Sequence, residues 1–253
     1  MRGPSVVIIT RDAADTLADT LDSVTAFDEV VVYDNGSRDT TEEIARRYAN
    51  IRWETGPFEG FGPTKNRAVN TATSDWILSL DADEVAAPEF VSEVRTWVAG
   101  ADPREVAEIE RHNTYLGGSV RHGGWGNDWV VRVFNRTVHR FSDKEVHEGV
   151  VLTPRTRVVR LRNPVRHDSV REQRHVLEKI DLYTDLYARN HPQRVLPLPM
   201  ILLRASWSLF KSYVVQLGFL DGWRGVAIAN SCFVTTFYKY FKIYAADRMA
   251  RGE

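Results

Sequence analysis

The chain is poor in cysteine: one residue in 253, Cys232. That excludes an internal disulfide and any cysteine-rich metal site, and it fits a reducing compartment. No basic stretch followed by an apolar core opens the sequence, because residues 1–4 lead directly into a strand-like run, so no secretory leader is expected. In the apolar C-terminal region, the longest stretch without Asp, Glu, Lys or Arg is residues 225–238, too short to span a bilayer as a helix. No Gly-x-Gly-x-x-Gly follows the first strand and there is no Walker lysine motif, which argues against dinucleotide and P-loop chemistry. Runs of like charge are missing too, so nucleic acid is not an expected partner.

What is present is an ordinary globular composition, 43% hydrophobic and 26% charged, enough for a sizeable core. The net charge of −1 hides a split: residues 1–100 hold 9 Lys+Arg against 18 Asp+Glu, and residues 101–253 hold 24 against 16. Charge asymmetry of this kind points to an anionic partner for the basic part.

Residues 5–9 (SVVII) and 29–33 (EVVVY) read as strands covered on both faces, with weaker strands at 51–54 and 76–80 (WILSL). Between them, residues 15–24 place Leu17, Leu21 and Val24 on one helical face, Asp39 and Glu42 resemble a capping box, and residues 63–72 open with proline. Alternation at this spacing predicts an α/β fold whose mostly parallel sheet is flanked by helices. Ligands in such sheets sit beyond the carboxyl ends of the strands. Those ends carry Thr10-Arg11, Asp34-Asn35-Gly36-Ser37 and Asp81-Ala82-Asp83-Glu84. Carboxylates at i and i+2 leaving a hydrophobic strand are suited to a hard divalent cation that also takes phosphate oxygens. The plain alternatives are an acidic helix-entry loop before Pro88 and a simple turn at residues 34–37.

The segments SVVIITRDAADTLADTLDSV, EVVVYDNGSRDTT, GFGPTKNRAV and WILSLDADE, in this order, resemble glycosyltransferase family 2, the inverting enzymes of GT-A fold. RHGGW, DWVVRVFNR, FSDKEVHEGV and GFLDGWRG are similar to one subgroup, the bacterial lipopolysaccharide-core glucosyltransferases. The resemblance implies a GT-A domain over 1–168, divided into a donor half (1–100) and an acceptor half (101–168), and a helical C-terminal extension over 169–253. It implies a UDP-hexose donor, a Mg²⁺ or Mn²⁺ cofactor and a glycolipid acceptor. Thr10, Arg11 and Asp34 would line the nucleotide pocket, Lys65 and Asn66 would contact nucleotide or diphosphate, and Arg132 would stand beside the phosphates. Asp83 would chelate the metal, with Asp81 near the ribose and donor sugar and counted with it as a metal ligand.

An inverting transfer needs a carboxylate that deprotonates the acceptor hydroxyl. Asp128, Asp143, Glu145 and Glu148 are the candidates; the resemblance favours Glu148, with Asp128 second and His147 as orienting group or further metal ligand. Arg121, His122, Trp125 and Arg136 form a basic, aromatic acceptor stretch, where guanidinium forks suit phosphates and indole faces suit sugar rings.

Residues 200–217 are apolar nearly all round, and Phe233, Phe237, Tyr240, Phe241 and Tyr244 form an aromatic stripe flanked by Lys239, Lys242 and Arg248. Residues 200–253 are therefore expected to lie on a membrane surface, which places the protein on the cytoplasmic face of the inner membrane. A packed helical pair, a polyprenyl-phosphate sugar synthase and a non-catalytic membrane-surface adaptor are the alternatives weighed.

Overall fold

The computed structural model describes residues 3–143 and 148–252. Its strands are β1 (Ser5–Thr10), β2 (Val30–Asp34), β3 (Ile51–Thr55), β4 (Trp76–Asp81), β5 (Glu84–Ala86), β6 (Glu105–Tyr115), β7 (Gly118–Ser119), β8 (Asp128–Asn135), β9 (Arg157–Arg160) and β10 (Val165–Val170). Its helices are α1 (Leu17–Ser23), α2 (Thr41–Ala45), α3 (Phe61–Thr71), α4 (Pro88–Gly100), α5 (Gln173–Asn190), α6 (Leu198–Phe210) and α7 (Gly222–Ala250). The sheet runs β3-β2-β1-β4-β8-β6-β10-β5.

The chain divides into two compact units, Met1–Arg111 with Asp128–His167, and His112–Asn127 with Asp168–Glu253. Where the sequence draws one boundary at 168, the structure assigns residues 112–127 to the second unit as well. Burial explains this: Tyr115 and Val120 share a core with Val170, Val176 and Ile228.

In the first unit β1 pairs in parallel with β2 and β4, and β2 with β3, while β8 is antiparallel to β4. The β-branched runs are buried on both faces. Val6, Ile8, Val30, Val32, Leu78 and Leu80 pack with Leu17, Leu21, Phe90 and Val94; Val7, Val31 and Ile77 pack with Ala68 and Val69. Each such side chain contributes roughly 1.5–3 kcal/mol on burial. The helix that follows Asp39 is short, α2 ending at Ala45. Asp39 does not close a capping box with Glu42; its carboxylate accepts the Ala14 and Thr41 amides, each at 3.0 Å, and ties two loops together. β5 and β10, which the sequence pattern does not reveal, pair antiparallel with His167 opposite Glu84.

In the second unit α5 and α7 are joined by Lys242, which bonds Asp181 at 2.7 Å and Asp185 at 2.5 Å, while Ser208 of α6 donates to the Cys232 carbonyl at 3.0 Å. A π-helical stretch, Lys211–Val215, continues α6. Among the described residues no helix is long and apolar enough to cross a membrane.

Candidate active site

Three parallel strand ends lie in register: Thr10 of β1 stands opposite Asp34 of β2, and Ile9 of β1 opposite Asp81 of β4. The residues that follow these strands are therefore gathered along one edge. Gly36 turns the β2 loop with φ +94°, a conformation open to glycine, and Asp34 accepts the Gly36 and Ser37 amides at 3.0 Å. The carboxylate of Asp34 thus shapes its own loop. Asp12 joins that loop to the one after β1, donating its amide to Ser37 Oγ at 2.8 Å and accepting the Arg38 amide at 2.7 Å. Among the described residues, buried Thr10 Oγ1 and Asn35 Nδ2 have no hydrogen-bond partner. Buried polar atoms are nearly always satisfied, so two orphans at the strand ends mark a place built for a polar ligand. Arg11 is exposed beside them, 3.7 Å from Asp12.

Around the end of β4 a charge cluster is assembled. Lys65 of α3, 2% exposed, bonds Asp81 Oδ1 at 2.9 Å and Glu148 Oε1 at 2.8 Å. Arg132 of β8 bonds Asp81 Oδ2 and, at 2.9 Å, Glu84 Oε1. Arg111 of β6 lies 3.2 Å from Glu84 Oε1, 3.7 Å from Asp81 Oδ2 and 2.7 Å from Asp128 Oδ2. Glu84 is fully buried and also accepts the Asp81 amide at 3.0 Å. Burial by itself would raise the Asp81 pKa, but Arg132, Lys65 and Arg111 outweigh it and hold the carboxyl well below its ordinary 3.8. Burial likewise opposes the charge on Arg132, and the adjacent Asp81 and Glu84 carboxylates reverse the balance and raise its pKa.

Asp83 faces His167. Its Oδ2 is 3.5 Å from Nε2 of His167, the residue paired with Glu84 across β5 and β10. Burial pushes the His167 pKa down, and the Asp83 hydrogen bond and charge, helped by Glu84, more than reverse it. A carboxylate oxygen beside an imidazole nitrogen is a donor set suited to a divalent cation. Among the described residues no group of three or more His, Cys, Asp or Glu is arranged to hold a metal. The remaining coordination positions would fall to a ligand such as a diphosphate.

Several expectations change here. Both Asp81 oxygens face cations, Oδ1 towards Lys65 and Oδ2 towards Arg132. Lys65 is enclosed between two carboxylates rather than turned to a nucleotide. Asn66 bonds the Phe141 backbone reciprocally, its Nδ2 donating to the carbonyl and its Oδ1 accepting the amide, both at 2.9 Å. Phe141 bridges Val150, so Asn66 anchors the base of the loop that carries Glu148. Arg136 follows the end of β8 that pairs with Trp76, the first residue of β4. There it lies 3.6 Å from Asp75 and bonds the Val69 carbonyl, at the end of β4 opposite Asp81. Asp143 is exposed and bonds Arg140 at 3.1 Å. His147 and Glu145 lie outside the described residues. Arg121, His122 and Trp125 belong to the second unit, where the Asp221 carboxylate takes the amides of Arg121 and His122 and sits 2.9 Å from His122 Nδ1.

Arg111, Glu84 and His167 were missed. Arg111 and Asp128 are direct cross-strand partners of opposite charge, a signal visible once β6 and β8 are aligned. His167 needed β5 and β10 to be recognised, and a three-residue strand gives too little periodicity for that.

The glycosyl transferase family 2 model matches residues 5–145, more than half of the chain. The chain belongs to that family. Among curated relatives, a lipopolysaccharide core biosynthesis glycosyltransferase, LpsC of Rhizobium meliloti, is 24% identical over 155 residues, 58% of this chain and 56% of that protein. An uncharacterized glycosyltransferase of Rickettsia prowazekii is 34% identical over 95 residues, 37% of this chain and 32% of that protein. A TPR repeat-containing protein of Synechococcus elongatus is 41% identical over 93 residues, 36% of this chain and 23% of that protein. The chain thus spans about a quarter to just over half the length of these relatives. Among solved structures, S. aureus TarS in complex with UDP superposes with a TM-score of 0.51 at 12% identity, covering 100% of this chain and 92% of that one. The family 2 chain therefore has the α/β GT-A fold, with a helical C-terminal extension.

Proposed function

We propose that this family 2 protein is an inverting, cation-dependent hexosyltransferase that moves a sugar, glucose first among the candidates, from a UDP-sugar to a lipopolysaccharide-core-like glycolipid. The observation that carries the reading is the position of Glu148. One of its oxygens is fixed by buried Lys65, itself bonded to Asp81 at the end of β4, and the other has no partner among the described residues. A carboxylate oriented by one fixed bond is suited to accept a proton from a hydroxyl brought to its other oxygen. Asp128, the second candidate, is bonded to Arg111 at 2.7 Å. In the reaction the acceptor oxygen bonds to the anomeric carbon, its proton passes to Glu148, and the bond to the diphosphate breaks with UDP leaving. Thr10, Arg11 and Asn35 would bind the nucleotide, and Asp34 would keep their loop in shape.

Asp83 and His167 would hold a Mg²⁺ or Mn²⁺ ion shared with the diphosphate. Such an ion supplies charge stabilisation for the departing phosphate. The cluster of Lys65, Arg111 and Arg132 against Asp81, Glu84, Asp128 and Glu148 keeps the surrounding carboxylates in place. The glycolipid assignment draws on the similarity to the lipopolysaccharide core biosynthesis glycosyltransferase of Rhizobium meliloti. Incubation with a panel of UDP-hexoses and delipidated core glycolipid should give transfer that needs added cation and collapses in Asp83→Asn. Transfer that is unchanged in that variant contradicts the metal assignment.

The acceptor reading places the protein at a membrane, on the cytoplasmic face of the inner membrane. Leu203, Trp207, Phe210, Val215, Leu220 and Trp223 are all exposed within residues 198–226. Monomeric soluble proteins rarely carry apolar patches of such extent without a partner. The charges in this segment are Arg204, Lys211, Arg224 and Asp221, and Asp221 is occupied by His122. This differs from the expected aromatic stripe. Phe233, Phe237 and Phe241 stack on one another, Lys239 lies 3.9 Å from the Tyr187 ring and Lys242 bonds α5, so the face offered to lipid is residues 198–226. Sedimentation with anionic vesicles should be lost when Leu203, Trp207 and Leu220 are all changed to Glu. A dimeric wild type that ignores vesicles, with a monomeric variant, makes this face a subunit interface instead.

A further inference from the structure

The second unit contains a cavity of about 500 Å³, inside the roughly 300–1,000 Å³ range of small-molecule sites. Trp125, Val170, Val176, Ile180 and Cys232 give it apolar walls. Lys179 and Lys211 line it as well, and among the described residues no carboxylate does. Lys179 touches only the Ser169 carbonyl, at 3.2 Å, and Lys211 has no hydrogen-bond or ion-pair partner among the described residues. Two ammonium groups beside an apolar hollow, without counter-charge, match an anionic amphiphile.

One wall of the cavity is the π-helical stretch. Ser212 and Gln216 line it, and this stretch is held open against the Gly123–Trp125 turn by two bonds, Gly124 N–H to Ser212 Oγ at 3.0 Å and Gly123 N–H to the Gln216 carbonyl at 2.9 Å. A Cβ on Gly124 would meet Cys232 Sγ at 2.9 Å, so the close approach of this turn depends on glycine. π-Helical insertions of this kind are frequently found at functional sites. The same α6 and π segment that lines the cavity through Ser208 and Ser212 bears Leu203, Trp207, Phe210 and Val215 on its bare surface.

We propose that this cavity takes one hydrocarbon chain of an anionic membrane lipid, with the headgroup phosphate meeting Lys179 and Lys211. The proposal deepens the membrane reading above and rests on it. Trp125 then serves as a wall for lipid, not as a platform for a sugar ring.

Cys232, the single cysteine, reports on occupancy because it lines the cavity. Its alkylation by N-ethylmaleimide is followed by mass spectrometry in the full chain, with dodecyl phosphate below its micelle concentration, dodecyl maltoside, or inorganic phosphate. Dodecyl phosphate should slow alkylation about tenfold, and inorganic phosphate should leave it unchanged. In the Lys179→Gln/Lys211→Gln variant, half-protection by dodecyl phosphate should need about tenfold more ligand, with dodecyl maltoside unaffected. Thr235→Trp, which fills the cavity, should abolish protection by both amphiphiles. No protection by dodecyl phosphate, equal protection by inorganic phosphate, or protection indifferent to the lysines would overturn the proposal. Vesicle sedimentation tests the outer face separately, so loss of vesicle binding with intact thiol protection contradicts the membrane reading and leaves the cavity assignment standing.

Discussion

The cluster around the end of β4 and the cavity-lining segment of the second unit handle charge in opposite ways. Around the end of β4 the cations are closely matched: Lys65, Arg111 and Arg132 each bridge at least two carboxylates. In the second unit, among the described residues, the Lys211 ammonium has no partner, the Lys179 ammonium meets only a carbonyl, and the exposed segment is apolar. Matched buried charges are costly to disturb and hold a geometry, whereas unmatched charges beside apolar surface wait for a ligand. On the proposed function, the first region would hold the chemistry at a fixed place, and the second would meet a partner that brings its own negative charge.

The contrast breaks most readily at Arg132. Arg132→Met leaves Asp81 and Glu84 buried without their main counter-charge and should lower stability by about 3–5 kcal/mol, read by urea unfolding. A loss below about 1 kcal/mol would show that the cluster is solvated and not structural. The pH dependence follows from Asp81. Its folded pKa is depressed below 3.8, so the stabilisation is fully present above that value and is lost as pH falls through the depressed one. Wild type should therefore exceed Asp81→Asn in stability by the same margin at pH 7 and pH 5, and the gap should close only in stronger acid. A gap that closes near neutrality would assign the titration to another group. His167→Ala should weaken Mn²⁺ binding in the presence of UDP by about 10–100-fold, measured by calorimetry, with little change in unfolding. The smallest effect is expected at Arg136→Ala, at the opposite end of β4: below about 1 kcal/mol in stability and no change in donor binding. A large loss of donor affinity there would return Arg136 to the site.

Much of the first unit was legible in the sequence because its signals are local. The β-branched runs that became β1, β2 and β4 are buried on both faces, and the polar residues after them reached one edge because parallel strands end together. What escaped were partnerships between distant residues. Glu84 read as one more acid of a loop, and only the pairing of β5 with β10 shows that it is buried between two arginines. The family resemblance implies a nucleotide or diphosphate contact for Lys65, yet Lys65 is enclosed by Asp81 and Glu148, residues 16 and 83 positions away. In the second unit helical periodicity marked the aromatic stripe, but periodicity does not distinguish a face against a neighbouring helix from one against lipid. The contacts of Lys239 and Lys242 with α5 decide that question.

Glu148 is where the account is most exposed. Glu148→Gln keeps the shape and the hydrogen bond to Lys65 but removes the base. Sugar transfer by this variant should fall about 10²–10⁴-fold, while UDP and cation bind as in wild type. Transfer within a few-fold of wild type, with binding intact, would contradict the assignment of Glu148 as the base and with it the reading of this charge cluster as the catalytic centre.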